Sequence, residues 1–137
     1  MDQILKTQVT RETATSALII RDGKILLGLR NYTPDKWIGS FWTTPGGRGD
    51  EGETVEECLK RETEEETGIT DLKIEEYIGK VDGAKEGDIV EVFVCSTNQE
   101  AKLMEPEKFG EWKWFKSNEI PENFINKNIF SIIQKSV

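Results

Sequence analysis

Glu62, Glu65 and Glu66 form the densest set of chemically able side chains in this 137-residue sequence. At about 100° per residue along a helix they share one arc. The same arc carries Val55, Cys58 and Leu59, and Ile69 projects the same way just past the end. Carboxylates that continue an apolar stripe face the body of the protein, where like charges repel and burial raises the cost. A compensating cation resolves the conflict. Only Arg48, Lys60 and Arg61 are basic nearby, and an all-oxygen cluster suits a hard divalent cation such as Mg2+ or Mn2+. Glu56, Glu57 and Glu64 point away and read as solvated surface.

The chain has no histidine, which excludes Ser-His-Asp and Cys-His nucleophiles and His-ligated zinc or haem. A general base must then be a carboxylate, Lys, Tyr or Cys. Cys58 and Cys95 are too few and too far apart for a thiolate zinc site or a disulfide framework, and read as buried thiols in a reducing compartment. A formal charge of −8 opposes binding to nucleic acid polymers or anionic membranes, so a phosphate-rich ligand would need metal ions to approach. The leading MDQILKTQVTRETATS lacks a signal-peptide pattern, and no apolar run approaches a bilayer span. The expectation is a cytoplasmic protein of one domain covering residues 1–137.

The elements that must position the glutamates follow from local pattern. Thr54 and Glu57 make a capping box, good helix formers run to Thr67, and Gly68 supplies the usual stop. Before this helix, PGGRGDEGE places glycines where a loop can come close to a ligand or metal. TATSALIIR and KILLGLR, on either side of Asp22-Gly23, read as a hairpin, and FWTT as a short strand before Pro45. Residues 31–40 read as a loop; 72–81, 88–96 and 111–115 read as strands. After Pro121, Ile125, Ile129, Ile132 and Ile133 recur at helical spacing and predict a terminal helix packed on the sheet. Strands interleaved with helices give an α/β layered fold.

Gly47, Glu53, Arg61-Glu62, Glu65-Glu66 and Gly68-Ile69 stand at the spacing G-x5-E-x7-R-E-U-x-E-E-x-G-U, with U apolar. This pattern resembles the Nudix box, matched at every fixed position over residues 47–69. Thr63 departs from it, at a position usually apolar. LLGLR, GSF, GETVEEC and MEPEKFGEW further resemble the MutT-like branch. The resemblance implies the Nudix fold, a mixed β-sheet sandwiched between helices (α/β/α), over nearly the whole chain.

The resemblance also implies roles. Glu62, Glu65 and Glu66 would ligate metal together with the Gly46 backbone carbonyl, and Arg61 and Glu53 would hold the loop and helix in shape. A further downstream acid would reach the metals: Glu107, with Glu105 and Glu111 as alternatives. The implied reaction is Mg2+- or Mn2+-dependent hydrolysis of a nucleoside triphosphate to a monophosphate and pyrophosphate, with Glu62 or Glu66 as base. Arg30, Trp37, Phe41 and Trp42 are candidate substrate-binding residues, although Phe41 and Trp42 cannot share one pocket on a regular strand. The alternatives are hydrolysis of nucleoside diphosphate derivatives such as ADP-ribose, nucleotide sugars or dinucleoside polyphosphates, and a non-enzymatic nucleotide sensor. Residues 84–86 lack the Pro or Tyr that enzymes for diphosphate derivatives often carry there, which favours triphosphates. Family members are often homodimers.

Overall fold

The computed structural model describes residues 1–31, 39–84 and 86–136. Strand β1 (Thr13–Arg21) turns through Asp22 and Gly23, both at positive φ, into β2 (Lys24–Arg30). Positive φ at both central residues is what a tight hairpin of right-handed twist requires. Next come β3 (Phe41–Thr43), helix α2 (Val55–Thr67), β4 (Lys73–Asp82), β5 (Ile89–Ser96), β6 (Phe109–Lys116) and helix α3 (Lys127–Ser136). A five-residue helix, α1 (Asp2–Lys6), precedes them all.

The sheet is mixed and it splits. β1 runs parallel to β5 from Thr13↔Ile89 to Ile19↔Cys95, and β4 lies antiparallel on the outer side of β5. The hairpin partners pair only at Ile20↔Ile25 and Arg21↔Lys24, after which β2 diverges to pair with β3 and β6. The vacated edge of β1 is not left bare, since unpaired backbone groups inside a fold are costly. Ala17 N donates to Pro45 O at 2.9 Å and Thr15 N to Gly47 O at 2.8 Å, so the Pro45–Gly47 loop takes the place of a strand.

Alternation along the strands divides the core in two. Ala17, Ile19, Leu26, Phe93 and Cys95 meet Val55, Leu59 and Ile69 on the α1–α2 side, while Leu18, Ile25, Leu27, Val92 and Phe115 meet Phe124, Ile129 and Ile133 on the α3 side. This is the expected α/β/α sandwich. The terminal helix starts later than its apolar spacing predicts, at Lys127, because Asn126 Oδ1 accepts from Asn128 N and ends the preceding turn. Ile125 therefore lies before the helix, and Phe124 takes the buried place.

Thr63 is the misfit of the α2 packing. It is 0% exposed, and among the described residues its hydroxyl oxygen has no hydrogen-bond partner. A buried hydroxyl stripped of water without a partner costs about 1–3 kcal/mol. Thr63→Val keeps the shape and removes the oxygen, so the variant is expected to be about 1 kcal/mol more stable than the parent in urea unfolding.

Candidate active site

Helix α2 is built as its sequence dictates. Thr54 Oγ1 accepts from Glu57 N at 3.2 Å, Glu57 Oε1 accepts from Thr54 N at 2.9 Å, and Gly68 closes the helix in the left-handed region with its N–H on Glu64 O. Arg61 organises the ground beside it. Its Nε and Nη2 donate to the two oxygens of Glu53 at 2.6 and 2.9 Å, Nη2 also reaches Arg48 O at 3.1 Å, and Nη1 reaches Glu62 at 3.0 Å and Glu65 at 3.1 Å. These bonds hold the Glu53 carboxyl below its ordinary range and Arg61 firmly charged. Glu53 and Arg61 thus tie the loop before α2 to the middle of the helix.

Glu66 lies on the other side of that loop. It is 7% exposed, and its Oε1 accepts from Gly46 N at 2.9 Å. Burial pushes its carboxyl up to about 8; the Gly46 N–H lowers it, and the charges of Glu62 and Glu105 push it further up. Glu62, partly buried, is raised chiefly by desolvation in spite of Arg61. Glu65 is half exposed. Gly47 lies against Glu62: a Cβ there would stand 2.6 Å from Oε2, and the carboxylate would have to turn aside.

Of the downstream acids, Glu105 bears on the cluster. Its charge raises both Glu62 and Glu66, whereas Glu107 is exposed and, among the described residues, forms no hydrogen bond or ion pair. The cause is a tight turn in which Glu105 O accepts from both Lys108 N and Phe109 N at 2.9 Å, leaving Glu107 on the outside. Glu111, on β6, pairs with Leu29 of β2 and is exposed.

The substrate-binding candidates separate. Arg30 stands over the Phe109 ring at 5.4 Å, and its charge lowers Glu66, so it flanks the carboxylates. Phe41 pairs across from Arg30 and shares its face of the sheet. Trp42 faces the other way, partly buried against the α3-side core and packed edge-on against Phe115 at 4.8 Å. Trp37 lies outside the described residues.

A feature that the sequence does not single out lies on the α3 side of the same loop. A cavity of about 170 Å³ is lined by Ser16, Thr44, Gly46, Gly47, Ile125 and Asn126, among others. Asn126 is 8% exposed, and among the described residues its Nδ2 donates to nothing. Ser16 Oγ and Thr44 Oγ1 are 2.6 Å apart on the same wall.

The NUDIX domain family model matches residues 10–135. The chain belongs to the Nudix family. An RNA pyrophosphohydrolase of Gluconobacter oxydans is 29% identical over 132 residues, covering 82% of this chain and 73% of that protein. An oxidized purine nucleoside triphosphate hydrolase of Danio rerio is 30% identical over 123 residues, covering 82% and 70%. Among solved structures, a MutT NUDIX hydrolase from Burkholderia pseudomallei superposes with a TM-score of 0.68 at 28% identity, covering 92% of this chain and 97% of that one. These relatives place the Nudix chain with MutT-like hydrolases, enzymes that act on phosphoric anhydride bonds.

Nudix hydrolases generally use a divalent metal ion. Among the described residues no three acidic side chains converge closely enough to enclose an ion, because Glu62 and Glu65 are turned onto Arg61. The donors nevertheless suit a hard cation. Glu66 is buried with a single N–H against it, and among the described residues the Gly46 carbonyl accepts no hydrogen bond.

The raised Glu66 carboxyl has a measurable consequence without metal. Between its ordinary value of 4.5 and about 8, the unfolded chain releases a proton that the folded chain keeps, so this group makes the fold less stable as pH rises. Glu66→Gln keeps an oxygen for Gly46 N–H and cannot ionise. In chelator at pH 8 the variant is expected to exceed the parent by on the order of 3 kcal/mol, with the difference gone below pH 4. Urea unfolding at both pH values checks this, and a variant less stable at pH 8 would contradict it.

Proposed function

We propose that the chain hydrolyses a nucleoside triphosphate to the monophosphate and pyrophosphate, using Mg2+ or Mn2+. Glu62, Glu65, Glu66 and the Gly46 carbonyl would hold the metal, with Glu105 as the further acid. One observation carries this reading: the Pro45–Gly47 loop, set into the split sheet, has Glu66 on one side and the Ser16–Thr44–Asn126 cavity on the other. A base seated against the Asn126 amide would leave its phosphate chain to cross the glycines toward the carboxylates.

Each group then has a task. When bound, the metal would neutralise phosphate oxygens and lower the pKa of the attacking water. Glu62 or Glu66 receives the proton, since the chain has no histidine to do so. Arg30, beside Glu66, meets a phosphate oxygen, and Arg61 with Glu53 keeps the loop and helix in register. The charge of −8 favours a free nucleotide over an RNA end, which carries a long anionic tail with it.

A panel of nucleoside triphosphates, ADP-ribose, nucleotide sugars and dinucleoside polyphosphates, with Mg2+ and with Mn2+, tests the reading by product mass. Monophosphate plus pyrophosphate from a triphosphate is the expected result, and cleavage of diphosphate conjugates alone would refute it. In ¹⁸O-labelled water the label should enter pyrophosphate, by attack at the β phosphorus. Glu66→Gln should lower turnover by at least about a hundredfold, the scale of removing a key electrostatic group.

A further inference from the structure

Every acid of the cluster has a partner, and the partners differ in how freely they can leave. Glu62 and Glu65 share Nη1 of Arg61 at 3.0 and 3.1 Å, and Glu66 has the Gly46 N–H. Glu105 has Lys108, whose Nζ lies 3.3 Å from Oε2. If metal draws the acids inward, Arg61 stays in place, because Nε and Nη2 remain on Glu53 and on Arg48 O. Lys108 has no such second hold: among the described residues Glu105 is the one partner of its Nζ.

The backbone beneath Lys108 is fixed while its side chain is not. Lys108 N and Phe109 N both donate to Glu105 O, Lys108 O accepts from Asn31 N at 2.8 Å, and Pro106 O accepts from Asn31 Nδ2 at 3.1 Å. Phe109 is buried, and the Lys108 side chain is 49% exposed. A half-exposed ion pair of this kind is cheap to break. An ammonium on a flexible stem is suited to phosphate as a mobile point charge.

We propose that Lys108 is a phosphate-binding residue, its ammonium passing from Glu105 to the outer phosphates of the nucleotide when Glu105 turns to metal. The proposal rests on reading Glu62, Glu65, Glu66 and Glu105 as one metal-holding cluster. It gives the acidic site a cation that covers Glu105 when metal is absent and covers phosphate when metal is present. It also makes Lys108 a weak competitor of the metal.

Two probes test this without turnover: Mn2+ alone, followed by its paramagnetic resonance, and inorganic pyrophosphate in saturating Mn2+, followed by calorimetry. In Lys108→Ala, pyrophosphate should bind about tenfold more weakly, and Lys108→Arg should recover to within about threefold of the parent. Mn2+ alone should bind Lys108→Ala as tightly as the parent or up to about threefold more tightly. Pyrophosphate affinity unchanged in Lys108→Ala would overturn the proposal. So would a loss of Mn2+ affinity in parallel with that of pyrophosphate, which would make Lys108 a support for Glu105 alone. A chain that binds pyrophosphate through Lys108 yet leaves triphosphates intact would refute the proposed reaction and uphold this role.

Discussion

The backbone at Gly46 runs closer to β1 than any side chain would allow. Its φ is +139°, and a Cβ there would fall 2.1 Å from the Thr15 carbonyl oxygen. Any other residue would have to push the loop out of the sheet. Because the loop stays in, the edge of β1 is satisfied, the Gly46 N–H aims at Glu66, and the Gly47 carbonyl accepts from Thr15. The divergence of β2 from β1, the burial of Glu66 and the cavity beside Asn126 all depend on that one close approach.

Around it the protein holds a charge distribution that resists its own fold. The charges of Glu62, Glu66 and Glu105 oppose one another across α2 and the turn before β6, with Glu65 beside them on Arg61, and among the described residues the cations against them are Arg61, Lys108 and, at longer range, Arg30. Arg61 is shared among so many oxygens that it anchors without neutralising any one of them fully. Glu66 receives the least help and is the most deeply buried. Burial of that kind gives up stability in exchange for an affinity that only an incoming cation can satisfy.

Helix α2 was legible from sequence because its signals are local: a capping box, a glycine stop and a run of helix formers act within a few residues of each other. The glycines of the preceding loop were legible as a loop, yet nothing local announces that Pro45–Gly47 replaces a strand, because that depends on where β2 leaves β1. Glu105 and Glu107 are equivalent in the string EPEK; a turn closed on the Glu105 carbonyl separates them. Trp42 reads in the string as a stacking residue, and its packing against Phe115 depends on register with distant β6. Asn126 looked like the interior of a helix until its own side chain, capping Asn128 N, set the helix start. Strand alternation did separate Phe41 from Trp42 correctly, since period two survives any tertiary context.

The two thiols lie within the α2 side of the core, Cys58 on the helix against Thr15 and the Gly47 carbonyl, and Cys95 on β5. Burial pushes them up to about 11 and about 12 respectively, so neither presents a thiolate at neutral pH. They are silent toward alkylating reagents while the core is closed. Cys58 becomes reachable when α2 lifts from the sheet, and Cys95, on the face of β5 that Val55, Leu59 and Ile69 cover, is uncovered by the same motion. The pair therefore forms a built-in gauge of breathing motions: both thiols sit beneath the acidic helix, and their labelling rates report how often it detaches.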